Sequence, residues 1–496
     1  MRRLERGGSW IDRSRPIVFR FDGTEYEGLE GDTLASALLA NGVRTGFRSP
    51  ISGRPRGVMT DGPEEPNAFV AVLQPSLDVI APATTVGLVA GLVAESRAGV
   101  ADLADAARGH DRRPRHRHRR VETLVIGGGP TGMRVTRTAA AAGDRVMIVD
   151  ERSRLDADTP EGPGVVAMTD ATALGVYDDG YVVIHERSSE GHTLWHVRAD
   201  DVILATGATE RPLAFVGNDL PGVMLSSAAM RYTERFGVQP GGRAVAFITN
   251  DWGRQAAEAV AGAGSDLIDV IDVREGRHVV AAEGGERLER VVVRDASGSE
   301  TTREIDLLLL SGGWNPNLTL WRAIGGGLTY DEARATFVPT GHGPRWLGVV
   351  GAAAGELPES TPFWWVQDGD DASKFVDLQR DQTVADVRSA VDSGLRSVEH
   401  VKRATYIGTA IDQGRTSGVV AAEIVNALLG ESPGWQGPSN ARPPTTPVSF
   451  ATVAGPYRGD LLDPIRTTPM HAWHVEHGAV FEDVGQWKRP WYFPRD

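Results

Sequence analysis

Cysteine is absent from all 496 residues. That absence excludes disulfides, thiolate metal sites, cysteine-ligated iron–sulfur clusters and a dithiol redox centre. Lysine is nearly absent too: Lys374, Lys402 and Lys488 stand in a chain whose other cationic side chains are arginine. The formal net charge of −14 argues against a general affinity for nucleic acid. No run reaches the roughly 18 apolar residues of a membrane span. The N-terminal Met1-Arg2-Arg3-Leu4-Glu5-Arg6-Gly7-Gly8 leads into no apolar signal-peptide core. The expectation is a soluble, cytoplasmic protein, and 41% hydrophobic residues supply two or three ordinary domain cores.

Residues 16–81 read as a small α+β unit. Ile17-Val18-Phe19-Arg20-Phe21 alternates as a strand, Asp22-Gly23-Thr24 signals a hairpin, and Asp32 or Thr33 caps a helix running to Ala40 and stopping at Asn41-Gly42. The Arg-rich stretch ending Arg112-Arg113-Pro114-Arg115-His116-Arg117-His118-Arg119-Arg120 reads as a solvated linker, with a docking strip for an acidic partner subunit as the alternative. Residues 121–330 alternate strand and helix patterns, which argues for parallel sheets. Residues 435–448 are a proline-rich linker, and the last stretch carries Trp473, Phe481, Trp487, Trp491, Tyr492 and Phe493, an aromatic load that needs something to pack against.

The clearest motif is Leu124-Val125-Ile126-Gly127-Gly128-Gly129-Pro130-Thr131-Gly132, a G-x-G-x-x-G between an apolar strand and a helical run. Gly127 permits the tight turn, Gly129 lets the backbone approach a pyrophosphate, and Gly132 lets helix and strand pack closely. The helix N-terminus offers unpaired N–H groups to phosphates. A second strand, Arg145–Val149, ends in Asp150, placed to accept both hydroxyls of an adenosine ribose, with Glu151 beside it. Ala205-Thr206-Gly207 closes another apolar strand at a crossover of the kind that lies beside a dinucleotide, and the Leu347–Gly355 stretch, with Gly351, reads as the returning strand. A second strand–helix unit begins at Ala244, but its loop is Thr249-Asn250-Asp251-Trp252-Gly253. There an acid would repel a phosphate and an indole would crowd it, so the fold is expected without ordinary phosphate binding.

Longer matches identify a resemblance. Ala205 to Met224 (ATGATERPLAFVGNDLPGVM), Gly31 to Ala40, Arg54-Pro55-Arg56-Gly57, Glu64-Glu65-Pro66-Asn67-Ala68, Ser311 to Pro316, Ser397 to Arg403 and Asp412 to Ser417 resemble the alpha subunit of heterotetrameric sarcosine oxidase. The resemblance implies an α/β protein of two dinucleotide-binding, Rossmann-like FAD/NAD(P)-binding domains preceded by a ferredoxin-like α+β domain. Its expected divisions are a ferredoxin-like 2Fe–2S-type fold over 1–100, a linker over 101–120, a Rossmann domain over 121–240 and 331–370, and a second Rossmann-like domain over 241–330. A helical module like a cluster-binding domain over 371–434 follows, then a linker and the start of a truncated T-protein-like folate domain over 435–496. Cysteine ligands of the first cluster would fall on Thr60, Glu65 and Ala68, and those of the second on Val376, Leu378, Asp412 and Ser417; none can act as a thiolate, so both modules are expected as scaffolds without metal.

The family implies oxidation of sarcosine to glycine with O2, giving H2O2 and passing the methyl carbon to tetrahydrofolate. The implied cofactor of this chain is NAD, on Gly127, Gly129, Pro130, Thr131, Gly132, Asp150, Glu151, Ala205, Thr206, Gly207 and Gly351. FAD and FMN are expected on, or shared with, a flavin-carrying beta subunit, with smaller subunits completing the complex. No residue is assigned a catalytic role and no metal is expected. His400, Lys402 and Arg403 form a basic cluster that suits either a partner-facing or structural helix face or a flavin phosphate at a subunit interface. Two alternatives stand beside this reading: a non-catalytic scaffold subunit with a vestigial nucleotide site, and a stand-alone NAD(P)H-dependent flavin oxidoreductase.

Overall fold

The structure, a computed structural model, describes residues 2–99, 114–155, 164–188, 191–341, 343–455 and 459–495. The N-terminal unit is a five-stranded sheet in the order Thr24–Glu30, Asp12–Phe21, Val93–Arg97, Phe69–Gln74, Asp78–Pro82. Its first hairpin turns on Asp22 and Gly23, both at positive φ. The helix Leu34–Ala40 starts at Thr33, whose hydroxyl accepts from the Ser36 amide at 3.1 Å while the Ser36 hydroxyl accepts from the Thr33 amide at 3.0 Å. Asp32 instead pairs with Arg3 at 2.6 Å. Leu34, Leu38 and Leu39 of this helix join the same buried core as Phe247 and Leu307–Leu310 of the second Rossmann-like unit, so the two units fold against each other.

The nucleotide domain is built on the strand Arg115–Ile126. Val146–Val149 and then Val165–Met168 lie on one side and Gly191–Leu204 on the other, all parallel, with Leu347–Val349 returning beside Val202–Leu204. Tyr181–Ser188 and Ala171–Tyr177 continue the sheet antiparallel. One expectation is corrected here. Arg115–Arg120 is the outer half of that central strand and not a linker, pairing in register with Thr193–Arg198. Its backbone is held by the ladder while five of its six side chains stay exposed, which explains why its composition imitates a linker. The rest of the expected linker, 101–113, lies outside the described residues.

The second Rossmann-like unit is a parallel sheet of Val223–Leu225, Leu307–Ser311, Arg243–Ile248 and Asp266–Asp272, flanked by the helices Ser226–Phe236 and Asp251–Gly262. Three strands, His278–Glu283, Arg290–Arg294 and Glu300–Glu304, form a separate antiparallel sheet beside it. The helices Val384–Asp392, Val398–Thr405 and Gly418–Leu428 enclose their own core around Val387, Val401 and Ile424. A buried ionic junction ties three units together: Arg56, 1% exposed, donates to Asp219 and, at 2.7 Å, to Asp381. The C-terminal helix His471–Glu476 and the strands Arg466–Thr467, Val480–Val484 and Trp487–Tyr492 leave Trp473, Trp487, Trp491 and Tyr492 exposed. Among the described residues no helix is long and apolar enough to cross a membrane.

Candidate functional site

The strand Arg115–Ile126 turns at Gly127, at φ 108°, into the helix Pro130–Ala141, whose N-cap is Gly129. The turn is sterically dictated. A Cβ on Gly127 would run into the Ala205 carbonyl, and one on Gly132 into the Gly127 carbonyl oxygen. At Gly129 nothing lies within 4 Å of where a Cβ would stand, so the backbone there faces open space. That space is a cavity of about 440 Å3 lined by Gly127, Gly129, Pro130, Asp150, Glu151, Ala205, Thr206 and Gly207. Gly132, Thr131 and Gly351 stand behind it: Gly132 is buried, and a Cβ on Gly351 would press the Thr131 side chain.

Asp150 is held more tightly than a ribose acceptor requires. Its Oδ2 accepts from the Gly128 amide at 2.6 Å and Arg152 Nη2 at 3.0 Å; its Oδ1 accepts from the Arg152 amide at 2.9 Å and Arg152 Nε at 2.8 Å. A ribose hydroxyl can reach this carboxylate only by displacing the guanidinium. Glu151 stands 3.9 Å from Arg415, and burial raises its carboxyl above the ordinary range. The Ala-Thr-Gly crossover is fixed by Asn317, which the sequence did not single out. Thr206 Oγ1 donates to the Asn317 carbonyl at 2.7 Å, and Asn317 Nδ2 donates to the Thr206 carbonyl at 3.0 Å.

The far wall was also not foreseen. Asp61, Glu64, Arg231, Arg235 and Arg415 reach the same cavity from the N-terminal unit, the helix Ser226–Phe236 and the segment before Gly418–Leu428. Asp61 bridges Arg231 at 2.9 Å and Arg235 at 3.2 Å. Burial first, then the Asp61 charge, pushes the Glu64 carboxyl up to about 7. In the second Rossmann-like unit the corresponding turn is closed: Asn250 Oδ1 accepts from the Gly253 amide at 2.8 Å, Asp251 pairs with Arg274 at 2.6 Å, and Trp252 meets Trp314 edge-on at 4.8 Å. Those groups occupy the N–H and the room that a phosphate would use. In the basic cluster, Lys402 Nζ donates to the Asn440 carbonyl at 2.9 Å.

The sequence matches the Sarcosine oxidase A3 domain over residues 371–456, running past the expected module end at 434, and the 2Fe-2S iron-sulfur cluster binding domain over residues 14–99. It is 38% identical to sarcosine oxidase subunit alpha of Corynebacterium sp. (strain U-96) over 99% of this chain and 61% of that protein. The chain is a homologue of sarcosine oxidase alpha subunits. It is 32% identical to that of Rhizobium meliloti (strain 1021) over 98% of this chain and 62% of the relative, so it spans about three fifths of the length of these curated relatives. A crystal structure of L-proline dehydrogenase from P. horikoshii shares the fold, with a TM-score of 0.73 at 21% identity over 92% of this chain and all of that one.

The positions aligned by resemblance with cluster ligands are brought together as loops closed on carboxylates. Glu65, wholly buried, accepts from the amides of Met59 (3.0 Å), Thr60 (2.7 Å), Asn67 (2.9 Å) and Ala68 (3.1 Å) and from the Thr60 hydroxyl (3.1 Å). In the second module Asp377 accepts from the Gly408 amide at 2.7 Å and the Ser417 hydroxyl at 3.3 Å, while Asp412 accepts from the Gly414 and Thr416 amides at 3.0 and 3.2 Å. Val376 and Leu378 are buried apolar residues there. Burial, and then the Asp412 charge, raises the Asp377 carboxyl to about 6.

Proposed function

We propose that this chain is the NAD-binding subunit, or part of it, of a sarcosine oxidase-type oxidoreductase acting on a CH–NH bond. The observation that carries the reading is the open glycine cradle: Gly129 faces a cavity that a side chain would fill, at the head of a helix that, among the described residues, no side chain caps. The residues present fit a dinucleotide. The amides after Gly129 would hold the pyrophosphate, Asp150 the adenosine ribose, and the Ala205–Gly207 crossover the sugar and ring beyond. When bound, the nicotinamide supplies hydride transfer. This chain's part is to bind, orient and exclude water, with Arg231, Arg235 and Arg415 balancing the acids of the far wall.

Amine oxidation, FAD, FMN and folate chemistry belong, in this proposal, to partner chains or further domains, and the isolated chain has no sarcosine oxidase activity. Titration calorimetry with NAD and NADP tests the reading: binding of NAD with preference over NADP supports it, and absence of both in a folded protein refutes it. A second reading, a scaffold subunit with a vestigial nucleotide cradle, is favoured by one observation, the saturation of Asp150 by Gly128 and Arg152. The same titration separates the two.

A further inference from the structure

Between the N-terminal unit and the nucleotide domain lies a second cavity, of about 620 Å3, which the nucleotide cradle does not use. Trp10, Val72, Val86, Leu88 and Leu92 make its apolar walls. From the nucleotide domain it receives Asp170, just before the strand Ala171–Tyr177, and Arg187, in Tyr181–Ser188. The Arg187 amide donates to the Asp170 carbonyl at 2.8 Å, so the two residues are neighbours across one ladder. Their side chains nevertheless form no ion pair, and neither makes a side-chain hydrogen bond or ion pair among the described residues; they attract each other at longer range, where Asp150 and Glu186 also repel Asp170 and Glu151 also attracts Arg187.

Most other charges on the cavity are accounted for. Glu30 pairs with Arg15, Asp32 with Arg3, Asp12 holds Ser14, and Arg154 donates to the Trp10 carbonyl. Asp78 is a further carboxylate without a partner among the described residues. Opposite charges held apart in one apolar-walled cavity are matched by a ligand that carries both. A simple cation or anion would leave one of the two desolvated and uncompensated.

We propose that this cavity binds a zwitterionic amino acid with an apolar side chain, its carboxylate on Arg187 and its ammonium on Asp170. The cavity is far roomier than glycine needs, and its walls reward an apolar substituent. The site is independent of the nucleotide reading.

Calorimetry on the full chain with phenylalanine tests it, with phenethylamine and hydrocinnamate as ligands that each lack one charge. Phenylalanine is expected to bind at least about tenfold tighter than either, the worth of one charge-assisted hydrogen bond. Asp170→Asn should erase its advantage over hydrocinnamate, and Arg187→Gln its advantage over phenethylamine, with unchanged thermal unfolding midpoints. Phenylalanine binding no tighter than the two half-ligands in the unmodified protein overturns the proposal whether or not the variants fold. So does wild-type affinity in both folded variants.

Discussion

Replacing Arg152 by alanine should tighten NAD binding and loosen NADP binding. The Arg152 guanidinium makes two hydrogen bonds to Asp150, at 2.8 and 3.0 Å, while the backbone contact at 2.9 Å survives the substitution. Side-chain bonds to a charged group are worth about 1.5–3 kcal/mol when sheltered. Here the Arg152 side chain is 22% exposed and screened by solvent, so a competing strength of about 1 kcal/mol is the appropriate scale. Adenosine hydroxyls that have to displace the guanidinium meet that competition in the native protein. Without it, NAD should bind about fivefold tighter. A 2′-phosphate instead faces the bare Asp150 carboxylate and loses the nearest cation, so NADP should weaken by about tenfold. The assay is titration calorimetry with both nucleotides on both proteins at one salt concentration. Weaker NAD binding in Arg152→Ala would mean that the arginine assists the ribose site, and the competition argument would be refuted.

Gly129→Val should abolish NAD binding without moving the unfolding midpoint, since its Cβ projects into open space; a large loss of midpoint, seen by calorimetric scanning, contradicts that geometry. Glu65→Ala leaves four amides and a hydroxyl without their acceptor inside the N-terminal unit, and urea unfolding should show a loss of about 3–5 kcal/mol; a change under about 1 kcal/mol would show that water replaces the carboxylate. The buried Glu210 carboxyl is raised from 4.5 to about 7, chiefly by burial, so the folded protein holds its proton longer than the unfolded chain does. Its contribution is therefore complete below pH 4.5 and lost as pH rises toward about 7. Glu210→Gln should flatten the fall in midpoint across that window, and an unchanged pH profile would rule out Glu210 as its source.

The cradle was legible because its glycines answer local steric demands: Gly127 and Gly132 each face a carbonyl that forbids a side chain. The closed turn of the second unit was legible for the same reason, through Trp252 and Asp251. What could not be read were contacts between residues far apart in the chain. Asn317 fixes Thr206 from 111 positions away, and Arg231 and Arg415 reach the cavity from other units. The Arg152 grip on Asp150 is local, but spacing alone does not say whether an arginine two residues on turns toward the acid or into solvent. Arg115–Arg120 was misread because an exposed strand extension and a basic linker share a composition; only the ladder with Thr193–Arg198 tells them apart. The proline-rich 435–448 stretch likewise contributes Pro443 and Thr445 to the cavity wall, where composition suggested only a connection.

The loops around Glu65, Asp377 and Asp412 carry their own anion. Inward-facing amides in such a loop repel one another unless a negative charge sits among them, and here the chain supplies it covalently, in its own sequence. These loops can therefore close as the polypeptide folds, without a cofactor-loading step. On this argument the shape of both modules should not depend on iron supply, oxygen or chelators. An EDTA-treated sample and one refolded in air should be the same protein.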